Sequence, residues 1–168
     1  TPAHLETLAG LGFNRLSFGV QDFTPAVQEA IARGQTFAQT KTLMETARRL
    51  GFADGINFDL VYGLPLQTEE SFRQSLDQVI ELRPDRLAIY SFAFVPWIRP
   101  NQKRIDTGAL PLGEVKMALY FAALEKLLAV GYEPIGMDHF ALPGDELARA
   151  ARAGQLHRNF MGYTVKPS

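Results

Sequence analysis

In the stretch INFDLVYGLPLQTEESF, residues 56–72, a strand hands over to a helix. Ile56 to Gly63 is a short apolar run typical of a buried parallel strand. YGLPLQT, residues 62–68, is the turn between them: Gly63 permits close backbone approach or a positive φ, and Pro65 stiffens the loop. Thr68 caps the helix with Glu69 and Glu70 in its first turn, Phe72, Leu76, Val79 and Ile80 form its inner stripe, and Pro84 ends it. Together these pieces make one βα unit.

The cycle recurs on both sides. Upstream, AHLETLAG (3–10) reads as a helix closed by Gly10, and NRLSFGVQ (14–21) as the first strand. TPAVQEAIARG (24–34) reads as a helix with Thr24 as cap, Pro25 at the first helical position and Gly34 as its end. From Phe37 to Leu50, Leu43, Ala47 and Leu50 recur at helical spacing before Gly51. Downstream, RLAIYSFAF (86–94) is a strand ending near Ala93 and Phe94, and after a loop a longer helix carries Met117, Phe121, Leu124 and Leu128 on one face. EPIGM (133–137) is a fourth short strand, followed by a helix around 145–152 and a polar tail. Parallel strands alternating with helices give an α/β fold, a small doubly wound sheet or a partial (β/α) barrel. No G-x-G-x-x-G follows any strand, so a dinucleotide-binding version has no support.

The composition bounds the function. The 168 residues suffice for a single domain with a real core, and 46% hydrophobic with 11% aromatic residues is ordinary globular composition. Seventeen Lys and Arg against eighteen Asp and Glu, with no basic block, argue against nucleic acid as a partner. Apolar runs stop well short of a membrane span and no basic leader opens the chain, which predicts a soluble, cytoplasmic protein. The absence of Cys excludes disulfides, Cys-ligated zinc and a thiolate-bound iron cluster within this chain.

In both architectures ligands lie beyond the carboxyl ends of the strands. Asp59, inside the second strand, is costly there unless paired, so it either meets a basic residue or loop amides or accepts hydrogen bonds from a ligand. Gln21 suits a ribose or a carboxylate, or bonds loop backbone. Arg33 at a helix end is by default a cation favoured by the helix dipole, and Asp22 reads as a turn or cap. In GMDHF (136–140) Asp138 could orient His139 only if the chain bends, since adjacent strand residues face opposite ways. His157, Arg158 and Asn159 form a polar cluster that is either solvated or ligand-binding, and the three His lack metal-ligand spacing.

Taken together, NRLSFGVQDF (14–23), FDLVYGLPLQT (58–68), GMDHFALPGDELARA (136–150) and LHRNFMGYT (156–164) resemble the bacterial oxygen-independent coproporphyrinogen III oxidases, radical S-adenosylmethionine enzymes. The resemblance implies the C-terminal half of a (β/α)6 barrel. It implies chemistry in which a 4Fe-4S cluster cleaves S-adenosylmethionine and two propionates of coproporphyrinogen III become the vinyls of protoporphyrinogen IX in haem biosynthesis. By the resemblance, Gln21, Arg33 and Asp59 contact S-adenosylmethionine and Ala93 lies against its adenosyl group.

The departures matter as well. The family's cluster cysteines belong upstream of Thr1 and its helical domain beyond Ser168, so this chain alone is expected to be inactive, and an open barrel favours self-association. Ser91, Phe92, Ala93 and Phe94 stand where the family pattern reads Asn-Tyr-Ala-His, and Met161 where glutamine is usual, which bears on the substrate side and on a second cofactor molecule. A non-catalytic haem or porphyrin-binding protein built on the same barrel is the alternative.

Overall fold

A computed structural model describes residues 1–53, 55–159 and 162–165, so Met161 lies outside the described residues. Helix α1 (Pro2–Gly10) leads to β1 (Leu16–Gln21) and then to α2 (Pro25–Ala30). Pro25 opens α2 as expected, but the Thr24 side chain makes no capping bond. Instead the Asp22 carboxylate accepts Thr24 N–H at 2.6 Å, and the helix stops at Ala30 rather than at Gly34. α3 (Phe37–Arg49) starts from a reciprocal Thr36–Gln39 capping box. β2 (Ile56–Tyr62) and α4 (Glu69–Leu82) realise the βα unit of the opening stretch, with Thr68 and Ser71 bonding each other's backbone at the cap.

β3 (Arg86–Ser91) is shorter than its apolar run suggested, which leaves Ala93 and Phe94 in the loop that follows. In α5 (Gly113–Ala129) the face shared by Met117, Phe121, Leu124 and Leu128 is not the most deeply buried one. Met117, Phe121 and Leu128 are 56%, 54% and 46% exposed, while Leu119, Ala122, Ala123 and Leu127 are buried. This helix is apolar around most of its circumference, so periodicity does not single out one stripe, and the face with small alanines is the one that packs closely.

β4 (Glu133–Gly136) and β5 (His139–Ala141) form a hairpin turning at Met137, whose φ is 48°. β5 runs antiparallel to β3, so the last strand pair departs from the expected parallel succession. α6 (Glu146–Arg152), capped by Asp145, leads to a separate hairpin of β6 (His157–Asn159) and β7 (Gly162–Thr164) in what the sequence suggested was a polar tail.

The main sheet has the order β1-β2-β3-β5-β4, with β1, β2 and β3 parallel, and it stays open at β1 and β4. On one face Phe58, Leu60, Leu87 and Ile89 are fully buried in a cluster that takes Leu5 from α1, Met44 from α3, Leu76 from α4 and Leu119 from α5. The other face carries Ser17, Asn57, Asp59, Tyr90 and His139, by the period-2 alternation of strands. A parallel sheet normally buries both faces, and among the described residues the helices cover one, a layering that a barrel wall shares.

The amino ends of β2 and β3 are tied by one carboxylate. Asp85 takes two guanidinium bonds from Arg48 at 2.8 and 2.9 Å, and it accepts Ile56 N–H at 2.8 Å and Gly55 N–H at 3.2 Å. Arg48 also donates to the Ala53 carbonyl at 2.8 Å, which fixes the end of α3 on the same point. Asp85→Ala strands a half-buried guanidinium and two amides. Urea unfolding is expected to show a loss of about 2 kcal/mol, and a change within a few tenths of a kcal/mol would show that the tie is dispensable.

Candidate functional site

At the carboxyl end of β1 the chain reverses without a loop. Asp22 N–H donates to the Val20 carbonyl at 2.9 Å across Gln21, whose φ is 67°, which is the rare and strained form of γ-turn. The Gln21 side chain folds back over Gly19. A Cβ added at Gly19 would stand 2.9 Å from Gln21 Nε2, so that position tolerates no side chain unless the amide moves. Arg33 arrives at the same place from beyond α2. After Ile31 the chain passes through Ala32 at a φ of 54°, and the guanidinium donates to the Gly19 carbonyl at 2.9 Å. Arg33 is therefore turned onto the strand end rather than left as a free cation at a helix terminus.

Gln21 and Arg33 line one cleft of about 330 Å³, together with Val61, Leu64, Phe92 and Gln102. A larger cavity of about 640 Å³ lies at the opposite end of the strands and includes Arg15, Asp85 and Glu146 in its lining. Its charged groups are engaged in structural pairs such as Arg15–Glu146 and Arg48–Asp85, and ligands of such sheets bind at the other end.

Asp59 is not among the residues lining the cleft. It faces the helix-free side of the sheet, with Gly19 directly across on β1 and Ala88 directly across on β3, so no side chain larger than a methyl stands opposite it. Its oxygens accept Ser17 Oγ–H at 2.9 Å and Asn57 Nδ2–H at 2.8 Å. Among the described residues no cation pairs with it, so each oxygen keeps acceptor capacity. Ala93 sits beside the cleft through its neighbours. Gln102 donates to the Ala93 carbonyl at 3.1 Å and accepts Val95 N–H at 2.6 Å, while Lys116 Nζ donates to the Phe92 carbonyl at 2.7 Å. Sequence reasoning missed Gly19, Gln102 and Lys116. A glycine inside a strand was the available signal for Gly19, whereas nothing local marks Gln102 or Lys116.

The Asp138–His139 pair does not form. Asp138 lies in the hairpin turn, where its carbonyl accepts Ile89 N–H at 2.8 Å, and His139 stands on β5 opposite Ala88. The imidazole lies edge-on to Tyr90 and Tyr163, with ring centroids 6.1 and 5.5 Å away, and its Nδ1 is buried without a hydrogen-bond partner among the described residues. His157 and Arg158 are exposed on β6. Among the described residues no cluster of three His, Asp or Glu could hold a metal.

Burial pushes the His139 pKa below its ordinary value of 6.5, against a smaller upward pull from the Asp138 and Asp59 carboxylates. Burial likewise raises Tyr90, helped by Asp59 and Asp138. Below pH 6.5 the unfolded chain then binds a proton that folded His139 refuses, so stability falls as the pH drops from 6.5 toward the lower folded value, and it is fully present above 6.5. Unfolding free energies measured between about pH 5 and 8 should show a shallower slope in His139→Phe than in the parent. Equal slopes would remove His139 as the source.

The chain is similar to known proteins in sequence and in fold. The family model of the Radical SAM superfamily matches residues 1–79. Oxygen-independent coproporphyrinogen III oxidases from Synechocystis sp. and Thermostichus vulcanus are 48% identical over 164 residues and 49% identical over 158 residues. These alignments take 98% and 94% of this chain but 35% and 48% of the relatives. The solved coproporphyrinogen III oxidase of Escherichia coli, described as a Radical SAM enzyme, superposes with a TM-score of 0.95 at 46% identity, covering 99% of this chain and 38% of that one. The archaeal Elp3 of Methanocaldococcus infernus, 17% identical with a TM-score of 0.55 over 73% of this chain and 29% of that chain, shares the fold alone. In sequence and in fold alike, the chain carries the Radical SAM fold and is the counterpart of a segment, about a third to a half by length, of the oxygen-independent coproporphyrinogen III oxidases.

Proposed function

We propose that this chain forms the S-adenosylmethionine-holding wall of an enzyme that converts coproporphyrinogen III to protoporphyrinogen IX by oxidative decarboxylation. The observation that carries the reading is the convergence of Gln21 and Arg33 above Gly19 at the strand ends, one register pair from Asp59, in a chain nearly half identical to such oxidases. The donor set suits the cofactor. Arg33 meets a carboxylate, Asp59 accepts from an ammonium or a hydroxyl, and the Gln21 amide serves either. Ala93, pinned through its carbonyl by Gln102, offers a small surface to an adenosyl group. When bound, S-adenosylmethionine supplies the radical chemistry, and these residues orient it and keep its charged groups paired.

The iron-sulfur cluster has no ligands here. With no Cys among 168 residues the chain cannot supply thiolates to a 4Fe-4S cluster, which would be held by residues outside it. The same observation keeps the non-catalytic porphyrin-binding reading in play, and cofactor affinity separates the two.

In the full-length protein that contains this segment, Asp59→Ala and Arg33→Ala are each expected to weaken equilibrium S-adenosylmethionine binding by about 1 to 3 kcal/mol. Unchanged affinity in folded variants would overturn the assignment. Porphyrin binding by a parent with no affinity for the cofactor would favour the non-catalytic reading.

A further inference from the structure

Gln21 occupies a strained turn, and such strain persists only where the surroundings over-determine it. The surroundings are a buried amide and carboxylate network. Asp22, fully buried, accepts Thr24 N–H at 2.6 Å and Ser75 Oγ–H at 2.8 Å on one oxygen, and Gln67 Nε2–H at 2.6 Å on the other. Among the described residues no cation accompanies this carboxylate, and the donors that reach it, Thr24 N–H, Ser75 Oγ–H and Gln67 Nε2–H, are all neutral. Gln67 uses its whole hydrogen-bonding capacity: besides donating to Asp22, it donates to the Val61 carbonyl at 3.1 Å and accepts Gly63 N–H at 2.7 Å and Leu64 N–H at 3.2 Å. Gln28, also buried, donates to the Val20 carbonyl at 3.2 Å and to the Asp22 carbonyl, the two carbonyls on either side of Gln21.

The turn is thus gripped on both flanks, while the one residue between them sends its side chain toward Gly19 and the cleft. Val61 and Leu64, whose backbone Gln67 holds, line the same cleft. Building on the reading of Gln21 as a cofactor contact, we propose that Asp22, with Gln67 and Gln28, is a positioning residue: it holds Gln21 in its γ-turn and fixes the Gln21 amide relative to the Val61–Leu64 wall. Asp22 does not touch the ligand. It acts through Gln21, and a carboxylate serves because all its partners are donors. An amide in its place must turn an N–H toward one of them.

A double-mutant cycle tests this in the full-length protein, with S-adenosylmethionine affinity measured by calorimetry on Gln21→Ala, Asp22→Asn and the combined variant. Asp22→Asn should weaken binding about tenfold, Gln21→Ala by a similar factor, and the combination no further than Gln21→Ala alone. A residue that merely supports the fold would give the same loss in either background, so additive losses overturn the proposal, as does unaltered affinity in Asp22→Asn. If Asp22→Asn does not fold, Ser75→Ala, which removes one donor at the network's edge, takes its place in the cycle with the same expected and overturning results. Gln21→Ala without effect overturns the cofactor reading of Gln21 itself and the proposal with it. That outcome is separate from the case in which Gln21 matters and Asp22 does not.

Discussion

A strand presents alternate side chains to its two faces, and among the described residues helices cover one of them. That constraint sorts the chemistry. Phe58 and Leu60 go inward beneath α4 and α5, so Asn57, Asp59 and Val61 must face the opposite way. A carboxylate inside an apolar strand is tolerated because this second face is not packed by the helical layer, and because Ser17 and Asn57 take up part of its hydrogen-bonding demand. The polar face and the apolar core are one decision, written into the same seven residues of β2.

Around Asp59 the sheet is kept sparse. Gly19 and Ala88 flank it across the strands, and Gly19 also makes room for the Gln21 amide. The loss of one methyl group at residue 19 therefore serves two neighbours, one on its own strand and one on the next. The loop beyond β3 is held by two side chains, Lys116 from α5 and Gln102 from the loop itself, so backbone that belongs to no strand keeps a defined position at the cleft.

Much of this was legible in the sequence. The β2–α4 unit carries its own boundaries in Gly63, Thr68 and Pro84, and Asp59 stood out because a carboxylate is rare in such a run. The hairpin of β4 and β5 was not legible, since three- and four-residue strands carry too little alternation to reveal their direction. α5 misled because apolar residues surround it, and only packing against α4 and the sheet decides which are buried. The meeting of Gln21 with Arg33 depends on two non-glycine residues at positive φ, Gln21 and Ala32, and no local propensity announces either. Asp138 and His139 do follow a strand, as GMDHF suggests, but the tight turn at Met137 sends them to different tasks.

The tie at Asp85 bears on more than stability. Sliding β2 by a single residue against its neighbours would turn Phe58 and Leu60 outward and bury Asp59, since side chains change face with every step. The Asp85 carboxylate, at the start of β3, grips the first amide of β2 and the one before it. It acts as an index mark: with those two amides engaged, only one alignment of the strands is available. The chemical identity of the polar face further along each strand is thereby set at the end of the sheet opposite the cleft of Gln21 and Arg33.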